Sequence, residues 1–369
     1  MLQKLKSFMK GETVLTIALI LAILSCFLVK PDAGYAGYID FHTLALLFCL
    51  MLVMAGFQEV GLFLYIGGKL LNNVKTKCSL VFILVFLCFF SSMIVTNDVA
   101  LITFVPLSIL ILQLSKQEHL LCTTVILQTI AANLGSMMTP IGNPQNLYLY
   151  TKSGIPTGRF LLLMLPYTIL SGVMLALSIW FLYRKEGSYE RVSIKKTALN
   201  RRQLIYYSVL FILCLFSVAK ILPVWFLFLI VTVALLIGNR KLFARIDYGL
   251  LLTFAAFFVF IGNMGRYPAF RDFLTSIIRG QEQLTAILSS QIISNVPAAL
   301  LLSGFTDNWK ALILGTNIGG LGTLIASMAS LISYKQIAAA YPEQKKKYLW
   351  QFILWNVAFL AVFLILTIF

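Results

Sequence analysis

Charge is what this sequence has least of. Only 11% of its residues are Asp, Glu, Lys or Arg, and only 13 are acidic, whereas an ordinary globular domain devotes about a quarter of its residues to charge. That excludes a soluble globular fold. Histidine is scarce as well: His42 and His119 are the two in the chain, both near the ends of apolar runs. Hydrolytic chemistry built on His-Glu-x-x-His or on a Gly-x-Ser-x-Gly elbow has no motif here, so the chain is read as not an enzyme. The six cysteines, at 26, 49, 78, 88, 122 and 214, lie in or beside apolar runs with no Cys-x-x-Cys pair. Neither a disulfide framework nor a metal site is indicated, and no cofactor is expected.

What the chain has is hydrocarbon. Hydrophobic residues make up 60% and the mean hydropathy is +0.92, so the 369 residues are divided by segments of about 20 apolar residues, each able to cross ~30 Å of lipid. About nine crossings fit, together with two interrupted segments. The net charge of +16 comes from basic residues in short loops between apolar runs, with no aromatic-interleaved patch. Orientation in a membrane accounts for it, and no nucleic-acid partner is expected.

Residues 14 to 29 follow a basic start and lack a small-x-small cleavage site, which predicts an uncleaved first helix. Glu59 ends the next span and is read as facing the interface. Ser91 to Ala100 then places Asn97 and Asp98 inside an apolar run, where an acid is costly and points to function. Ser289 to Ala298 repeats that stretch, with Ser294 and Asn295 aligned to Thr96 and Asn97. Each is expected to be the tip of a re-entrant hairpin, and Pro106 is expected to interrupt the second arm of the first.

Two further stretches resist an unbroken helix: Asn133 to Asn146, with Pro140 and Pro144, and Gly315 to Thr323, with four glycines. Asn133, Gly135 and Thr139 align with Asn317, Gly319 and Thr323 at one constant offset (317 − 133 = 184). Likewise Ile39-Asp40-Phe41 is echoed by Ile246-Asp247-Tyr248. The expected architecture is an all-α polytopic membrane protein in two inverted-topology repeats, with the breaks at the midplane. Its parts are an N-terminal helix (1–38), a first repeat (39–183), a basic loop with linking helices (184–245) and a second repeat (246–369). The loop from Arg184 to Gln203 holds seven Lys and Arg, which predicts a cytoplasmic position for it and for the N-terminus, in a multi-pass protein of the plasma membrane.

Broken helices expose N–H groups at one half-helix start and C=O groups at the other half-helix end, favouring an anion and a cation respectively. The candidate substrate and ion ligands are Thr96, Asn97, Asp98, Asn133, Gly135, Ser136, Thr139, Gly142, Asn143, Asn146, Ser294, Asn295, Asn317, Gly319, Gly320 and Thr323, with Na⁺ expected near Asn97, Asp98 and Asn295. No Arg or Lys lies in Asn133 to Asn146 or in Gly315 to Thr323. Neutral donors and helix dipoles are therefore expected to hold the substrate.

Taken together, Thr96-Asn97-Asp98-Val99-Ala100, Asn133 to Ser136 with Thr139 to Asn146, Ser294-Asn295-Val296-Pro297 and Asn317 to Gly320 resemble the ion-transporter superfamily. That group includes citrate-transporter-like permeases, arsenite permeases, NhaD-type sodium/proton antiporters and divalent-anion/sodium symporters. The likeness runs from about residue 38 to 369 and is nearest to the arsenite-permease and NhaD-like branch. It implies secondary transport of a small anion, such as a di- or tricarboxylate or an inorganic oxyanion, coupled to Na⁺ or H⁺ by alternating access and often in a homodimer. A Na⁺/H⁺ antiporter and an arsenite efflux permease are the alternatives, followed by an intramembrane enzyme or scaffold. The sequence departs from the symporters, which carry Ser-Asn-Thr at both tips, and is shorter than their pattern at the N-terminal side. Asp98 would carry the coupling cation or proton, since beside an anion it would repel unless a positive charge intervened.

Overall fold

The computed structural model describes residues 13–71, 74–187 and 199–368. Arg191, Lys195 and Lys196 of the basic loop lie outside the described residues. The described chain is helical, with no β-strand: α1 (Thr13–Leu28), α2 (Phe41–Val60), α3 (Leu62–Leu71), α4 (Lys77–Ile94), α5 (Asn97–Leu114), α6 (Leu121–Ser136), α7 (Pro144–Ser153), α8 (Thr157–Tyr183) and α9 (Arg201–Val218) come first. They are followed by α10 (Val224–Asn239), α11 (Tyr248–Arg266), α12 (Pro268–Ile278), α13 (Glu282–Ile293), α14 (Asn295–Leu302), α15 (Trp309–Ile318), α16 (Met328–Ala340) and α17 (Lys345–Ile368).

Among the described residues, eight helices are long and apolar enough to cross a bilayer. They comprise α2, α4, α5, α8, α9, α10, α11 and α17, with flanking turns counted for α10 and α17. α1, at 16 residues, rises about 24 Å and falls just short of that length. Two other paths across are interrupted, α6 with α7 and α15 with α16. The outward faces carry side chains that water would not tolerate in such density: Phe27 is 80% exposed, Ile237 83% and Trp350 77%. A wide apolar exterior of this kind is a lipid-facing surface, and this is an all-α polytopic membrane protein.

Polar side chains at helix starts explain where several helices begin. Asp40 accepts the Thr43 amide at 3.0 Å and Asp247 accepts the Leu250 amide at 2.8 Å, with nearly the same backbone at both caps (φ −79°, ψ 81° and φ −78°, ψ 82°). Thr96 caps α5 through Val99 N and Asn143 caps α7 through Asn146 N. At the other end of α2, Gly61 takes φ +76°, a left-handed turn that frees the chain to start α3.

α6 is the axis of the fold, buried over almost its entire length. On it, Gln128 Nε2 donates to the Leu84 carbonyl of α4 (3.0 Å) and to Ser108 Oγ of α5 (2.8 Å). Leu84 and Ser108 lie about equally far from the 95–96 turn, so α4 and α5 run back antiparallel as a hairpin. Pro106 does not interrupt the second arm: α5 continues through it to Leu114. The proline lacks the N–H that would reach Ile102 O, and that one bond is lost while packing against α6 and α16 keeps the helix whole. The second hairpin is much shorter, with arms α13 and α14 of 12 and 8 residues. Its open ends meet where Asn308 Nδ2 donates to Glu282 Oε2 (3.4 Å).

The hairpins press on the broken helices at glycines. A Cβ on Gly135 would stand 2.6 Å from Ser92 Oγ and would collide with the Phe89 carbonyl oxygen of α4. Gly319 meets Ser290 in the second half in the same way, at 2.7 Å. We expect Gly135→Ala to destabilise by about 1–3 kcal/mol, because the obstacle is backbone and cannot rotate aside. Thermal unfolding in detergent measures it: an unchanged melting temperature would mean α4 and α6 are not held at this spacing.

Candidate functional site

The four stretches read from the sequence come together through backbone and amide groups. At the first tip, Asn97 N donates to the Gly142 carbonyl oxygen (3.0 Å); at the second, Asn295 N donates to that of Ala326 (2.9 Å). Thr139 Oγ1 donates to the Met93 carbonyl and Thr323 Oγ1 to the Gln291 carbonyl (3.1 Å). Gly142 and Ala326 are separated by the offset that relates the two breaks (326 − 142 = 184), and so are Thr139 and Thr323. Each hairpin tip is therefore pinned to its own break by equivalent bonds.

The side chains of the two Asn residues cross between the halves. Asn133 accepts Ser327 Oγ on Oδ1 (3.0 Å), and its Nδ2 donates to Ser330 Oγ (3.5 Å) and to the Gly320 carbonyl (3.4 Å). Asn317 accepts Asn143 Nδ2 on Oδ1 (3.1 Å), and its own Nδ2 donates to Asn146 Oδ1 (2.6 Å) and Ile313 O (2.7 Å). Positions 327 and 330 are 143 and 146 displaced by 184, so each break's Asn grips the start of the other half's returning half-helix. Asn97 Nδ2 joins at Asn133 Oδ1 (3.2 Å), and Ser136 Oγ accepts from Asn143 Nδ2 (3.1 Å). All of these Asn side chains are buried, so the network is satisfied from within the protein.

The carbonyls freed at the breaks are met differently in the two halves. Asn146 Nδ2 faces the carbonyls of Ser136, Met137 and Thr139 at 3.3–3.5 Å. At the second break the amide comes from the hairpin: Gln291 Nε2 donates to the carbonyls of Gly319 and Leu321, both at 2.9 Å, and Gln291 Oε1 accepts Thr323 N (3.0 Å). Gln291 escaped the sequence reading because its aligned partner, Met93, is apolar. The tips differ too. Thr96 has ordinary extended geometry, whereas Ser294 has φ +76° and ψ 153°, with its buried hydroxyl lacking a hydrogen-bond partner. A non-glycine residue in that region costs about 1–3 kcal/mol and is typically held by its surroundings at a functional position.

Beside this network lies a cavity of about 560 Å³. Its polar lining includes Thr96, Asp98 and Asn143 from the predicted set, joined by Gln58, Arg245, Asp247 and Lys335, which the predicted set lacks. Ser294 and Asn295 do not line it; the cavity reaches the tip of one hairpin and not of the other. Asp98 Oδ1 is buried without a partner. Glu59, read from the sequence as facing the interface, is exposed, pairs with Arg245 (3.1 Å) and accepts from Asn239 Nδ2 (2.7 Å). The expectation that no cation serves the broken segments needs correcting: α16 runs on to Ala340 and carries Lys335 on its cavity face. The signal was present in the sequence as the spacing of Met328, Leu331, Ile332 and Lys335, one stripe of a helix.

Two ion pairs tie segments that are distant in the chain. Arg266 Nη1 donates to Asp32 Oδ2 (2.8 Å) and Tyr38 OH (2.9 Å), and the guanidinium holds the Asp32 carboxyl below its ordinary range. Lys77 pairs with Glu186 (2.9 Å) between the starts and ends of long helices, and lowers the Glu186 carboxyl likewise.

Residues 5–308 match the family model described as citrate transporter. The chain belongs to the citrate transporter family. An uncharacterized transporter of Methanocaldococcus jannaschii is 34% identical over 80% of this chain and 81% of its own length. The inner membrane protein YbiR of Escherichia coli is 29% identical over 95% and 93%. A silicon efflux transporter of rice is 31% identical over 43% of this chain and 32% of its own. This citrate-transporter-family protein is thus a membrane permease and not an enzyme, within the ion-transporter superfamily.

Proposed function

We propose that the protein is a secondary active permease that carries a small anion, a di- or tricarboxylate or an inorganic oxyanion, through the cavity beside the crossed Asn network. What carries this reading is the crossing itself. Two equivalent Asn residues each hold the partner half's returning helix, which suits two inverted-topology repeats that exchange roles about a shared site. The returning helices α7 and α16 begin at Asn143 and Ser327, and residues Asn143, Pro144 and Met328 line the cavity. Helix N-termini there present partial positive charge to an anion.

Coupling is assigned to Na⁺ or H⁺ at Asp98, whose free carboxylate oxygen sits against the same cavity. With the N-terminus in the cytoplasm of a plasma-membrane protein, the lining by Val14, Arg245 and Lys335 makes this the inward-open state, and the strained Ser294 tip belongs to the closed outer side. A homodimer accompanies this reading. The rice relative named for silicon efflux favours one second reading, a neutral hydroxide such as silicic or arsenious acid as cargo, which the amides and hydroxyls would also accept.

Thermal stabilisation of the purified protein by citrate, succinate, phosphate, silicic acid and arsenite, with and without Na⁺, tests the class. A ligand of the native state raises stability by mass action, about 2.7 kcal/mol at a hundred times Kd. An anion that stabilises more in Na⁺ supports Na⁺-coupled anion transport. Stabilisation by the neutral hydroxides alone would replace the anion reading.

A further inference from the structure

We propose that Lys335 is the residue that receives the negative charge of the substrate, a role that rests on the anion-permease reading above. The cavity is lined by two cations, Arg245 and Lys335. Arg245 is already neutralised by Glu59 at 3.1 Å. Among the described residues Lys335 is in none of the four ion pairs and donates no hydrogen bond, so its charge is left for a ligand.

Its placement fits that use. Met328, Leu331, Ile332 and Lys335 all line the cavity and recur at the i, i+3, i+4, i+7 spacing of one helix face, so the ammonium stands two turns from the start of α16. The neighbouring Gln336 Nε2 reaches the Leu101 carbonyl of α5 (3.5 Å), one turn beyond Asp98. That contact brings α16 against α5 about one helical turn, near 5 Å, beyond the acid. No bond of ion-pair length joins Lys335 to Asp98 or Asp247, although all three line one cavity. The cavity of about 560 Å³ that this free ammonium and free carboxylate share has room for an anion together with the cation or proton that cancels Asp98. With Asp98 cancelled by its cation or proton and Arg245 by Glu59, Lys335 offsets Asp247, and without it the cavity's fixed charge would be net negative and would repel the substrate. A four-carbon stem lets the ammonium follow an anion from the cavity mouth toward the helix N-termini.

The experiment is transport by the full chain in proteoliposomes with citrate, succinate, phosphate and silicic acid as probes, comparing wild type with Lys335→Gln and Lys335→Arg. For whichever anion the wild type carries, Lys335→Gln is expected to raise KM at least tenfold with kcat changed less than threefold, and Lys335→Arg to restore KM to within threefold. Transport of silicic acid, if carried, should be unchanged in Lys335→Gln. Lys335 is solvent-exposed, and monodispersity of each variant in detergent controls for folding. An anion KM in Lys335→Gln equal to wild type overturns the role of Lys335 while leaving the anion permease standing. Wild-type transport of silicic acid and of none of the anions overturns both together.

Discussion

Asn317→Ala is expected to abolish transport while the protein still inserts and purifies. The side chain removed accepts from Asn143 and donates to Asn146 and to Ile313 O. Asn143 Nδ2 keeps Ser136 as a partner, but Asn146 Oδ1 loses its donor in a fully buried position. One orphaned buried polar group costs about 1–3 kcal/mol, which a protein with this much buried apolar surface survives. What does not survive is the hold of the second break on the start of α7, and with it the position of the capping Asn143 that lines the cavity. Asn133→Ala should match it, since Asn133 makes the equivalent contacts to Ser327 and Ser330 in the other half. Asn356→Ala is the control: it is equally buried, yet its amide bonds only the Phe352 carbonyl of its own helix, and transport should persist. Initial uptake rates in proteoliposomes decide the matter. Wild-type rates in Asn133→Ala or Asn317→Ala would remove the crossed network from the transport cycle.

Asp98→Asn should separate exchange from accumulation. Size and shape are retained, so labelled substrate should still equilibrate by counterflow, but the ratio of inside to outside should collapse from at least tenfold to one. Each factor of ten represents about 1.4 kcal/mol supplied by the co-transported cation or proton, and a neutral amide cannot carry either. The competing role, capping of the return arm, is already filled. Thr96 accepts the Val99 amide, while Asp98 Oδ1 makes no bond at all. A negative side chain in the first turn still favours the helix dipole by about 0.3–1 kcal/mol, so a small loss of stability is expected and does not bear on coupling. Gradient-driven accumulation at the wild-type level by Asp98→Asn would assign coupling to another group, and Asp247 on the same cavity wall would be the next to test.

Much of this protein was legible from sequence because a bilayer is an unforgiving solvent. Apolar runs of crossing length, the breaks at Pro140, Pro144 and the glycines of 315–322, and the odd placement of Asn97 beside Asp98 follow from what lipid excludes, which is a property of composition and local order. The repeats could be read for the same reason: a duplicated break needs a duplicated set of small and amide residues, and those align at a constant offset. Tertiary structure decided what no local rule contains. Which amide meets the orphaned carbonyls differs between the halves, Asn146 in one and Gln291 in the other, because it depends on which neighbour packs against the break. Pro106 stays inside a continuous helix because packing outweighs one missing hydrogen bond. The pairing of Glu59 with Arg245 joins residues 186 positions apart (245 − 59 = 186). Among the described residues, that pairing leaves Lys335 as a cation without an ion-pair partner on the cavity that Asp98 also lines, since long-range packing determines which charges neutralise each other and which remain for a ligand.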